Sequence, residues 1–160
     1  MKRRLSAMVL ALMLVFGASF AVGEAAEVTG ESFVGNWAVT KESLETVLEV
    51  PEGAGETVTV AITLEGEFYD IVLDWAKSAT EKTTWLLMGS FDPENEALYG
   101  YGTKTHYILN EKGEAVSAEV ENEEVNAEFT FVENGLMNWR DSDEGIDGVL
   151  FEKVIAEAAD

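Results

Sequence analysis

The run from Glu56 to Trp75, ETVTVAITLEGEFYDIVLDW, constrains the fold more than any other stretch. Val58, Val60, Ile62 and Leu64 alternate with Thr57, Thr59, Ala61 and Thr63. Successive side chains of a strand point to opposite faces, so a period of two marks a half-buried strand. Gly66 breaks the pattern. From Phe68 it resumes, with Tyr69, Ile71, Leu73 and Trp75 against Phe68, Asp70, Val72 and Asp74. One turn between two such runs implies an antiparallel hairpin.

The same signal recurs along the chain. Lys82 to Ser90 reads as a third strand, and Asp92 to Glu96 as a turn. Ala97 to Tyr101 and Thr103 to Leu109 continue the sheet, with Gly100 and Gly102 as bulge or bend points. Asn110 to Glu114 is a hairpin loop. Ala115 to Val120 and Val125 to Val132 are expected to pair around the acidic ENEE segment. Asn134-Gly135 is the strongest short hairpin signal. Leu136 to Arg140 and Gly148 to Val154 complete the set, and a short helical turn is allowed near Glu42 to Leu48. About eight to ten consecutive strands make an antiparallel meander, which escapes exposed edges by closing into a barrel or a sandwich. The expected class is all-β, an antiparallel up-and-down β-barrel whose first and last strands, bearing Trp37 and Phe151, meet.

The first 21 residues stand apart. Lys2, Arg3 and Arg4 precede an apolar run from Met8 to Phe16 and then small residues ending at Ala21. That is the pattern of a secretory signal peptide, too short in its apolar part to span a bilayer. The expected organisation is a signal peptide over 1–21, a linker over 22–31, one β-barrel domain over 32–156 and a tail over 157–160. The product is expected to be secreted or periplasmic. It has no cysteine for a lipid anchor or a disulfide. A net charge of -21 argues against nucleic-acid and anionic-membrane partners. It fits a solvated acidic coat or a basic partner.

Residues 33 to 39, FVGNWAV, place Phe33, Gly35, Trp37 and Val39 on one strand face, with Gly35 leaving room for the Trp37 indole. Here Gly35-Asn36-Trp37 resembles the Gly-x-Trp that opens the first strand of the lipocalin, or wider calycin, family. The resemblance implies an eight-stranded up-and-down barrel, often enclosing a small apolar ligand. It also implies a basic residue over the tryptophan, for which Arg140 and Lys153 qualify. The chain departs from the family in being short, in lacking the usual disulfide and in showing no clear C-terminal helix.

The function expected from these residues is non-catalytic binding, with no cofactor. A small apolar ligand would lie in the barrel mouth, with Trp37 closing the base and Trp75, Trp85, Tyr101, Tyr107 and Phe129 as walls. The alternative is a protein-binding module, an inhibitor or adhesion domain, with a filled barrel and functional acidic loops. An eight-stranded barrel is just wide enough for either. Asp70 and Asp74 share a face about 13 Å apart, too far to work as a glycosidase pair. Asp141, Asp143, Asp147 and Glu152 echo a calcium loop, but Gly145 and Ile146 occupy places where that loop needs a ligand and a glycine. His106, the sole histidine, cannot alone build a zinc site.

Overall fold

The computed structural model describes residues 27–155; the expected signal peptide and C-terminal tail lie outside them. Among the described residues eight strands close into one barrel in chain order. They are β1 (Gly35–Val39), β2 (Thr57–Glu65), β3 (Phe68–Ser78), β4 (Glu81–Asp92), β5 (Ala97–Leu109), β6 (Ala115–Phe131), β7 (Met137–Asp141) and β8 (Ile146–Lys153). Every neighbouring pair is antiparallel, and β1 pairs with both β2 and β8. The closure expected from Trp37 and Phe151 is thus present: Trp37 lies opposite Lys153 and Val39 opposite Phe151.

Alternation decides which side chains fill the interior. Val58, Val60, Ile62, Ile71 and Leu73 are buried, while Phe68, Asp70 and Thr59 face out. Trp85, Trp139, Phe129 and Phe151 add large rings to the same core. Trp85 and Trp139 meet edge to face with ring centres 5.5 Å apart, a favoured aromatic geometry.

Two strand readings require correction. Ala97–Leu109 is one strand, and Gly100 stays in register. The irregularity expected at Gly102 is present as register shifts against β6 between Gly102 and Lys104 and between Lys104 and Thr105, with a third between Ile108 and Leu109. Ala115–Phe131 is likewise one strand of 17 residues, so the ENEE segment is no turn. Its polar character has another cause: this part of β6 is solvated on both faces and needs no apolar alternation. The turn expected at Asn134-Gly135 joins β6 to β7, with both residues at positive φ, 69° and 73°.

Short helices cover the two ends. The helix α1 (Gly30–Phe33) begins inside the expected linker and drives Phe33 into one end. The Phe33 ring lies 4.6 Å from that of Phe131, which lies 5.7 Å from Trp37. The Trp37 Nε1–H donates to the Phe33 carbonyl at 2.8 Å. Trp37 therefore closes the base. The second helix, α2 (Lys41–Thr46), stands at the other end, capped by the Thr40 hydroxyl, which accepts from the Ser43 N–H. The buried Ser43 hydroxyl in turn accepts from the Leu150 N–H at 2.9 Å, tying α2 to β8.

The basic residue over Trp37 is Lys153, whose Nζ lies 5.2 Å from the ring centre. Arg140 is exposed opposite Glu128, on the outer face. The space left by Gly35 serves Lys153 rather than the indole. A Cβ there would sit 2.9 Å from Lys153 Cε, and its φ of +135° suits glycine.

Candidate functional site: the barrel mouth

The two ends of the barrel differ. The base carries the short turns β2–β3, β4–β5 and β6–β7. The mouth carries α2 with its loop to β2, and the β3–β4, β5–β6 and β7–β8 turns. Strands β4 to β6 run 12 to 17 residues and rise above the mouth on one side. Their inward row includes Trp85, Lys104 and His106, a parity set by buried Leu98 and the pairing of Trp85 with Lys104.

Trp85 forms the floor. Its Nε1–H donates to Asp141 Oδ2 at 3.1 Å, and the Lys104 ammonium lies 5.3 Å over its ring. Lys104 spans the gap between β6 and the β7–β8 turn, 3.0 Å from Glu121 and 2.9 Å from Glu144. Burial works to lower its pKa, but the two carboxylates outweigh this and hold it above the ordinary lysine value. His106 lies beside them, its Nδ1 3.4 Å from the Thr83 hydroxyl and its Nε2 3.7 Å from Glu81.

Across the opening, Val47, Leu48, Trp75, Ile146, Glu144 and Asp147 border a cup of about 350 Å³. Trp75 is half-buried and its Nε1–H donates to Glu56 at 2.7 Å. Chemically the cup offers apolar walls, one indole face and carboxylates.

The six expected ligand-binding residues divide. Trp37, Trp85 and Phe129 are buried in the interior, Trp37 at the base and Trp85 beneath the mouth. Trp75 borders the cup. Tyr101 and Tyr107 stand on the outer face, paired with the outward Met88 and Lys82, because both are one step out of phase with Leu98. They do not wall the interior. Asp70 and Asp74 are also outward; Asp74 accepts from the Thr84 hydroxyl and pairs with Lys82 at 3.3 Å. The calcium-like residues do not converge: the Asp141 carboxylate accepts from the β7–β8 turn, that of Asp143 accepts from the Asn126 N–H of β6, and Glu152 lies on β8 opposite Ala38. Lys104 and Glu144 carry no sequence motif that marks them as site residues. Counting by twos from Leu98 places Lys104 inside, but that count needs the buried face of β5 to be known first.

Asp141 is fully buried and accepts three N–H groups, from Trp85, Asp143 and Glu144. Burial dominates and raises its pKa, against the pull of these donors. A carboxyl raised in the fold stabilises most below the ordinary carboxylate range, and that contribution is lost as pH rises through the raised value. In Asp141→Asn the amide Oδ1 can keep the two turn N–H groups, but an NH₂ then faces the Trp85 donor. The variant is expected to lose about 1–3 kcal/mol at pH about 4, with the deficit shrinking toward pH about 7 as the wild type loses its own contribution. Paired urea titrations across that range check this; a deficit that grows with pH would contradict it.

No protein-family model, curated protein or solved structure matches the chain.

Proposed function

We propose that this chain is an exported, non-catalytic binding module with a filled barrel, meeting its partner at the outer surface and the mouth. The observation that carries the reading is the interior itself. Trp85, Trp139, Phe129, Phe151 and Leu73 fill it to near-zero exposure, and concavities among the described residues open on the outer wall or the mouth. Export is supported by the Lys2–Arg4 and Met8–Phe16 pattern. A partner with basic character is supported by the net charge of -21. The eight-stranded antiparallel closure is the architecture that the resemblance of Gly35-Asn36-Trp37 implies, and it supports kinship with the calycins.

A second reading rests on the cup at the mouth. Its volume lies at the lower end of the range for small-molecule sites. In that case a small apolar ligand rests on Trp75 and above Trp85, not inside the barrel. Titration of the secreted protein with the neutral fluorophore N-phenyl-1-naphthylamine separates the readings. The filled barrel is expected to give no saturable rise in emission. A saturable rise that vanishes in Trp75→Ala would favour the cup. One that survives Trp75→Ala would put the probe inside and overturn the filled-barrel reading.

A further inference from the structure

Strand β6 is much longer than its neighbour on one side. β7 pairs with it only over Ala127–Phe131, whereas β5 pairs with it from Ala115 to Thr130. Residues 115–126 therefore have a strand on one flank only. Near the barrel a side chain stands in for the missing strand: the Asn126 N–H donates to Asp143 of the β7–β8 turn. Among the described residues, no such substitute is seen for the backbone of 115–121 on the side away from β5. All seven of these residues are exposed, and none is proline. Seven residues extend over about 23 Å.

The two faces of this free edge differ. Val116, Ala118 and Val120 lie on the outer face, where Ala118 pairs with Tyr107; Val116 is 63% and Val120 52% exposed. Ser117, Glu119 and Glu121 lie on the face toward the mouth, where Glu119 pairs with His106 and Glu121 meets Lys104.

We infer that the 115–121 edge of β6 takes up an extended basic segment of a partner protein as an added strand, with apolar side chains over Val116 and Val120 and Lys or Arg beside Glu119. The inference rests on the binding-module reading above and names its partner. Main-chain pairing at a bare edge supplies adhesion, and alternate side chains supply selectivity. A second copy of this chain does not suit the edge. Antiparallel self-pairing centred on Ala118 would set Glu119 diagonal to Glu119 of the copy, within reach of long side chains, and so bring like charges together. The net charge of -21 adds repulsion between copies. Cationic residues alternating with apolar ones match both faces at once.

The test uses the full secreted chain and three labelled nine-residue peptides: alternating Val/Lys, the same composition in blocks, and alternating Val/Glu. Fluorescence anisotropy is expected to show the alternating Val/Lys peptide binding about tenfold or more tighter than the block peptide, as several matched cross-strand pairs imply. The Val/Glu peptide should not bind. Hydrogen exchange should slow at residues 115–121 on binding. Glu119→Lys, an exposed change on the projecting strand, should weaken the alternating peptide about fivefold with unchanged circular dichroism. Equal binding of the two basic peptides would reduce the effect to general attraction to an acidic surface and overturn the inference. So would absent binding, or slowed exchange elsewhere. A failure here leaves the fluorophore titration untouched, so loss of the edge site and loss of the filled-barrel reading are told apart.

Discussion

Trp37→Ala should lower the unfolding free energy by about 3–5 kcal/mol, the range for deleting a large buried ring. Three interactions end together. The indole is 2% exposed and packs on Phe131, which packs on Phe33. Its Nε1–H holds the Phe33 carbonyl, and so holds α1 across the base. Its outer face carries the Lys153 ammonium. Trp37→Phe separates these contributions. The ring stack survives while the hydrogen bond goes, and the loss should fall to about 1–2 kcal/mol. Hydrogen exchange should then quicken first at residues 30–34, because α1 loses its tether while the sheet remains. Urea unfolding followed by far-UV circular dichroism measures both variants. A loss below about 1 kcal/mol for Trp37→Ala would mean that the base is not sealed by this ring.

Gly102→Ala is the second large effect, and it works through the backbone. A Cβ at Gly102 would collide with the Leu86 carbonyl oxygen, and would lie 2.9 Å from Leu87 Cα on the adjacent strand. Flexible side chains can yield to such a clash, but a hydrogen-bonded strand cannot move without breaking its ladder. The expected loss is about 3 kcal/mol or more, at the upper end for overpacking. Gly113→Ala provides the contrast. Its φ of +77° is strained for alanine, yet nothing lies within 4 Å of the added carbon. That change should cost only about 1 kcal/mol, and near-UV circular dichroism should be intact. If both variants melt alike, close approach of β4 and β5 is not what requires glycine at 102.

Much of the fold was legible because burial writes a period of two into the chain. Val58–Ile62 and Tyr69–Leu73 declared both the strands and their inward faces, and the structure buries those residues. The Asn134-Gly135 turn was legible because positive φ at two adjacent residues restricts which side chains serve. The acidic stretch of β6 was misread for the converse reason. A strand projecting into solvent has no buried face to leave a pattern, so Glu121–Glu124 resembled a turn. The candidate site was legible only in part. Trp75 and Trp85 were named from their residue type, but Tyr101 and Tyr107 were placed inside when the phase of β5 puts them outside.

By itself the sequence determined the strand content, the antiparallel order, the acidic character and the tryptophan at the base. These follow from local alternation, turn chemistry and composition, each readable within a few residues. Only the tertiary structure decided that Lys153 rather than Arg140 covers Trp37, and that Lys104 links Glu121 to Glu144 above Trp85. It alone left the far part of β6 without a second neighbour. Those features depend on the register and unequal lengths of strands that are distant in the chain, and pairing between distant strands leaves no signature in either one alone.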